Sequence, residues 1–297
     1  MTKKKLIIIA GPTAVGKTAL SIALANHFKC PILSFDSRQF YAEMSIGTAK
    51  PTDAEVAAAE HHFIGNLSIK DRYTAGMYER QALALLETIF EAHDYCIAVG
   101  GSGLYIDALA FGIDDIPADE NVRMHFHERW ANEGLEVLSN ELLQIDPAYH
   151  AIADLQNPRR VIRALEVHKI SGKTYTDLRK KTPKERPFKS HWIGLNLERE
   201  ELFERINLRV DQMLENGLLA EVHSLIPMQD LKALKTVGYS ELFAFINGEI
   251  DRERAVELIK RNTRQYAKRQ LTWFKKNEFV HWYEPNEIEK IIEEIPK

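Results

Sequence analysis

Cysteine is nearly missing: Cys30 and Cys96 are the only two in 297 residues, and neither has a second ligand at metal-binding spacing. That excludes a cysteine-based metal site, and both read as small buried hydrophobes. No apolar run approaches the roughly 18 residues of a membrane span. The start Met1-Thr2-Lys3-Lys4-Lys5 leads straight into an apolar strand and leaves no separate segment for a cleavable signal. Cytosol is the expected compartment, with no membrane partner, and a monomer is the expected state. Excess positive charge is absent as well. A net charge of −4 excludes a protein that coats nucleic acid by bulk electrostatics and leaves room only for a local basic patch. Internal repeats and low-complexity tracts are also missing.

What is present is a chain with 45% hydrophobic residues, enough for one large domain or two. It is organised around Gly11-Pro12-Thr13-Ala14-Val15-Gly16-Lys17-Thr18, directly after the apolar run Leu6 to Ala10. The spacing fits Gly-x-x-x-x-Gly-Lys-Ser/Thr, in which a strand-to-helix turn aims backbone N–H groups, a lysine ammonium and a helix N-terminus at linked phosphates. A turn that used glycine only for its conformational freedom would not need lysine and a hydroxyl immediately after it. The motif leaves open whether the ligand is a nucleoside triphosphate or another compact pyrophosphate.

The order of segments predicts a P-loop NTPase-like α/β fold, a parallel sheet flanked by helices with an inserted all-helical domain. Helix is expected over 17–28. A second strand at 31–35 delivers Asp36-Ser37-Arg38-Gln39 to the carboxyl edge of the sheet, where ligands bind in open α/β folds. A long amphipathic helix over 75–93 leads to a third strand at 95–99, which runs into Gly100-Gly101-Ser102-Gly103. A P-loop ATPase usually ends such a strand in an acid that serves magnesium; here the position is glycine, and the strand-end carboxylate is Asp36. Residues 114–188 show helical stretches and no convincing strand, so the expected division is 1–113 with 189–297 as the catalytic core and 114–188 as the insertion. On its last long helix Arg159 and Arg163 share a face by their spacing of four, with Arg160 beside them. From Lys260 to Lys276 there are seven basic residues and no acid. At about 100° per residue Lys260, Arg264, Lys268 and Lys275 fall in one quadrant and Ile259, Tyr266 and Trp273 nearly opposite, which predicts one packing side and one anion-facing side. A closing edge strand is expected over 279–283.

This edge offers Lys17, the Thr18 hydroxyl as a magnesium ligand, the Asp36 carboxylate and the Ser102 hydroxyl, flanked by basic segments that a small-metabolite enzyme does not need. The simplest chemistry makes a bound diphosphate the leaving group, with a carboxylate taking the proton of a weak nucleophile such as an exocyclic amine.

Eight blocks in order carry a family resemblance. They are residues 11–18; Asp36-Ser37-Arg38-Gln39 with Tyr41; Gly47-Thr48-Ala49-Lys50-Pro51; His61-His62; Gly100-Gly101-Ser102-Gly103-Leu104-Tyr105; Asn157-Pro158-Arg159-Arg160 through Arg163-Ala164-Leu165-Glu166; Val237-Gly238-Tyr239; and Lys268-Arg269-Gln270 with Thr272-Trp273-Phe274. Together they resemble the bacterial tRNA dimethylallyltransferases, or tRNA isopentenyltransferases. The resemblance implies transfer of a dimethylallyl group from dimethylallyl diphosphate to the exocyclic amine of the adenosine just 3′ of the anticodon, with Mg2+ and release of pyrophosphate. It implies that Gly11 to Thr18 hold the diphosphate, Lys17 and Arg209 reach the pyrophosphate, Asp36 accepts the amine proton, and Ser102 lies beside the reacting centre. It further implies tRNA contacts, in the anticodon stem-loop, from Asp36, Ser37, Arg38 and Gln39, from Arg159, Arg160 and Arg163, and from Lys268, Arg269, Gln270 and Lys275. Ser102 departs from the threonine usual in the family, and no acid follows His61-His62 near Gly65, so that loop is assigned no role. Rival readings are a P-loop kinase of a small metabolite or nucleotide and a non-enzymatic RNA-binding module.

Overall fold

The computed structural model describes residues 4–180 and 182–296, so the first three residues of the N-terminal stretch lie outside it. The chain forms two compact units, one of residues 1–110 and 186–297 and one of residues 111–185.

The first part of the larger unit runs β1 (Lys5–Ala10), α1 (Lys17–Phe28), β2 (Ile32–Ser34), α2 (Asp53–Ala58), β3 (His61–His62), α3 (Ala75–Ala92), β4 (Tyr95–Gly100) and α4 (Gly103–Phe111). The smaller unit holds α5 (Glu120–Glu133), α6 (Leu135–Ile145), α7 (Pro147–His150), α8 (Pro158–Ser171) and α9 (Tyr175–Leu178). The chain then returns through β5 (Lys189–Leu195), α10 (Arg199–Glu215), α11 (Leu218–Ser224), α12 (Tyr239–Ile246), α13 (Arg252–Phe274), β6 (Val280–Tyr283) and α14 (Ile288–Glu294).

All six strands pair in parallel, in the order β3-β2-β4-β1-β5-β6. The sequence explains the central place of β1. Leu6 to Ile9 are apolar on both faces and completely buried, as a strand covered by helices above and below requires. Each such side chain contributes about 1.5–3 kcal/mol through the surface it removes from water. The carboxyl ends of β1, β2 and β4 are therefore neighbours, and the turns that follow them carry the motif residues. A second apolar cluster, including Val210, Leu218, Leu234, Leu242 and Ile259, packs α10 to α13 around Tyr41 and Met44.

The smaller unit has its own core of Phe126, Leu138, Leu142, Tyr149, Val161 and Leu165. No strand occurs among its described residues. Its helix starts are written locally: Asn157 caps α8 through the Arg159 N–H, Pro158 fills the first turn, and Gly172 ends the helix in the left-handed conformation. The one-turn helices α7 and α9 are too short to leave a periodic signal in the sequence, and neither was anticipated. Cys30 and Cys96 are free and buried. Among the described residues no helix is long and apolar enough to cross a membrane.

Candidate active site

The phosphate loop leaves β1 through backbone that only glycine accommodates at its first position. Gly11 has φ +151°, and a Cβ there would stand 2.6 Å from the Leu195 carbonyl oxygen. Ala14 is also held at positive φ, 66°, a strained conformation of the kind that clusters at ligand sites. Helix α1 then starts at Gly16 with no side-chain cap and no acid in its first turn. Its N–H groups and positive dipole end are left for an external anion.

Not every residue of the loop is a phosphate donor. Pro12 has no N–H, and the carbonyls of Gly11 and Pro12 accept hydrogen bonds from Lys17 Nζ at 3.0 and 2.7 Å. The Thr13 N–H is spoken for as well, since it donates to Gln270 Oε1 at 2.9 Å. Residues 11–13 thus shape the cradle. Burial pulls the Lys17 ammonium down to about 7; the negative charge of Asp36 opposes the shift and the Arg209 guanidinium adds to it. Arg209, half-buried on α10, is lowered by burial against the opposing pull of Asp36 and Glu55. Its guanidinium makes no hydrogen bond among the described residues. Two cations and one carboxylate therefore converge beside an uncapped helix N-terminus.

Asp36 follows β2 directly. Its Oδ1 accepts the Arg38 N–H at 3.0 Å, which fixes the carboxylate in a tight turn. Its Oδ2 has no hydrogen-bond partner among the described residues and faces the Gly101 turn, 3.9 Å from where a Gly101 Cβ would sit. Ser102 is buried at 9% exposure. Its hydroxyl accepts the Ser37 N–H and donates to Ser37 Oγ, both at 3.0 Å, so it ties the β4 turn to the β2 turn.

Several expected contacts are redirected. The Gln39 side-chain amide donates to the Thr48 and Ala49 carbonyls and braces its own loop, whereas Arg38 Nη1 donates to the Ala233 carbonyl and ties that loop to a distant segment. Gln270, expected at a solvent-facing RNA surface, is 5% exposed and bonded at both ends of its amide. In the smaller unit Arg159 and Arg160 are exposed, but Arg163 turns inward. It donates to the carbonyls of Ile116 and Pro117 and pairs with the fully buried Glu166 at 3.0 Å. A spacing of four puts two residues on one side of a helix; a buried acid one turn on pulls the second toward the core.

Helix α13 also departs from the expected division into a packing side and an anion-facing side. Lys260 pairs with Asp211 and Arg264 bonds Asn207, both on α10. Lys268, Arg269 and Lys275 stay exposed. The other side, read as a packing face, lies along the β4 turn. Gln270 donates to the Gly101 carbonyl, and the Trp273 indole N–H donates to Asp107, whose carboxyl burial raises to about 6 against the pull of that bond. Tyr266 reaches Ser102 with its phenol, which burial and the charge of Asp36 push up. Tyr266 and Asp107 were missed as site residues. Tyr266 sits one helical turn before Gln270, so the placement of either one would have located both.

Taken together, the parallel sheet, the uncapped phosphate loop and the adjacent strand-end carboxylate place an anion-receptive helix N-terminus beside a candidate proton acceptor, with glycine in place of an acid after β4. The sequence profile described as IPP transferase matches residues 39–277, and the chain belongs to that family. A tRNA dimethylallyltransferase from Cytophaga hutchinsonii is 49% identical over 97% of this chain and 95% of its own length. A relative from Phocaeicola vulgatus, named tRNA dimethylallyltransferase 1, is 47% identical over 98% and 97%. Among solved structures, the tRNA isopentenylpyrophosphate transferase of Bacillus halodurans superposes with a TM-score of 0.71 at 37% identity, covering 98% of this chain and 94% of that one. A eukaryotic dimethylallyltransferase described as acting on tRNA gives a TM-score of 0.79 at 26% identity over 97% of this chain and 75% of its own.

Proposed function

We propose that the protein transfers a dimethylallyl group from dimethylallyl diphosphate to the exocyclic amine of the adenosine 3′-adjacent to the anticodon of tRNA, releasing pyrophosphate. The observation that carries this reading is the convergence of Lys17 and Arg209 on an uncapped helix N-terminus, with an unbonded oxygen of Asp36 beside them. In this scheme the diphosphate takes the N–H groups of Ala14 to Thr18. Lys17 Nζ exchanges the Gly11 and Pro12 carbonyls for phosphate oxygen, and Arg209 neutralises the remaining charge. The amine nitrogen bonds to the allylic carbon as the carbon–oxygen bond breaks, its electron pair leaving with pyrophosphate. Oδ2 of Asp36 accepts the amine proton, a contribution of about 10²–10⁴ in rate for a positioned base. Ser102, Ser37 and Tyr266 hold the two turns on which the acceptor must sit.

The donor set suits a divalent ion shared with the ligand. No group of three His, Cys, Asp or Glu side chains placed to hold a metal ion occurs among the described residues. The Thr18 hydroxyl in the first turn of α1 would hold Mg2+ together with phosphate oxygens and water, the coordination this ion favours. When bound it would supply further neutralisation of the leaving group.

For tRNA, each unit carries its own exposed basic patch, Arg159 and Arg160 on α8 in the smaller and Lys268, Arg269 and Lys275 at α13 in the larger, as a net charge of −4 requires of a protein that meets a polyanion locally. The target base must leave the anticodon-loop stack for its amine to meet the allylic carbon. The test is incubation with radiolabelled dimethylallyl diphosphate, Mg2+ and unmodified tRNA. Label is expected on one adenosine; label transferred only from the γ-phosphate of ATP would replace this reading with a kinase.

A further inference from the structure

The least expected side chain in the site is Gln270. It comes from the C-terminal part of α13, is almost fully buried, and joins the turns that follow the paired strands β1 and β4. Its Oε1 accepts the Thr13 N–H of the phosphate loop at 2.9 Å, and its Nε2 donates to the Gly101 carbonyl of the β4 turn at 3.0 Å. A primary amide is the side chain that presents an acceptor and a donor together at one end. Glutamate keeps the acceptor and loses the donor; methionine, of similar length, keeps neither. The Gly101 backbone lies against this amide so closely that a Cβ there would fall 2.0 Å from Nε2, with the next atom, also of Gln270, at 3.2 Å.

We propose that Gln270 is a positioning residue: its amide splints the diphosphate loop to the Gly101-Ser102 turn and so sets the separation between leaving group and acceptor base. The inference rests on the prenyl-transfer reading above. It assigns Gln270 an internal role in place of a tRNA contact. Without the splint the Thr13 N–H loses a buried partner in a loop already strained at Ala14, and the loop is free to drift relative to Asp36 and Ser102. A misplacement of about 1 Å at a reacting centre costs on the order of 10²-fold in rate.

The same contact can be broken from either side. Q270M removes it directly. G101A removes it by pushing the amide away, since Gly101 is not at positive φ and only the end of a flexible side chain stands in the way. Each is expected to lower kcat by about 10- to 100-fold while the KM for tRNA and its binding affinity stay within about twofold. Q270E, which retains the Thr13 bond, should fall between. The double variant G101A/Q270A should be no worse than Q270A, because the new methyl occupies vacated space. Amide hydrogen exchange in Q270M should show lost protection at Thr13 whether or not prenyl transfer is the activity. Wild-type kcat in Q270M, multiplied losses in the double variant, or a matching loss of tRNA affinity each overturn the splint. If Q270M does not fold, G101A and the double variant decide alone. If the native protein fails to label tRNA, the functional reading falls while the exchange result still judges the contact.

Discussion

Diphosphate binding should draw a proton from solvent, and Lys17 should be its destination. In the free protein burial holds the ammonium near 7 against an ordinary 10.5. At pH 8 it is therefore about one-tenth charged, and at pH 6 about nine-tenths. A bound diphosphate requires the charged form. Binding should then take up about 0.9 proton through this group at pH 8 and about 0.1 at pH 6, and affinity should weaken up to about tenfold per pH unit above 7. Calorimetric titration of dimethylallyl diphosphate without tRNA, in buffers of different ionisation enthalpy, measures the uptake. Subtracting K17M removes the ligand's own protons. The neighbours give the sign of two further shifts. Asp36 raises the Lys17 pKa and Arg209 lowers it, so D36N should move the midpoint of uptake to lower pH and R209Q to higher pH. Stability follows the same linkage: the unfolded chain holds the Lys17 proton more tightly than the folded one, so the ligand-free protein should gain stability as pH rises from about 7 toward 10.5. Uptake below about 0.2 proton at pH 8 would mean that Asp36 keeps the ammonium charged in the empty loop, and the desolvation reasoning would be wrong.

Other outcomes follow from the same geometry. D36N should lower kcat by about 10²–10⁴ with tRNA binding little changed, measured by single-turnover label transfer; near-native turnover would remove Asp36 as the base. Arg163 and Arg159 should separate cleanly. R163A leaves the fully buried Glu166 with Arg123 and the Asp119 N–H alone and should cost at least about 2 kcal/mol in a urea melt. R159A, at an exposed position, should stay within about 0.5 kcal/mol yet weaken tRNA binding and reduce its salt dependence by about one ion. Equal stability losses would show that the inward turn of Arg163 is not what holds Glu166.

What the chain reveals by itself is local. The turn after β1 is legible because its glycine, lysine and threonine act on backbone and dipole within eight residues, and the buried strand is legible because its apolar run has no polar face. The helices of the inserted unit announce themselves through caps such as Asn157-Pro158, where the stabilising bond lies within the same turn. The basic character of α13 is equally plain. Tertiary structure decided which way those features face. Gln270 meets partners 257 and 169 residues away, and Ser102 reaches Ser37 across 65. Arg163 is drawn to carbonyls 46 and 47 residues distant. A helical period specifies that two residues share a side, but only the neighbouring element determines whether that side meets solvent, a glycine turn or a buried acid. Hydrogen bonds between distant turns exist only once the sheet has aligned the strand ends that carry them, and for that reason the phosphate cradle can be read in one dimension while its bracing cannot.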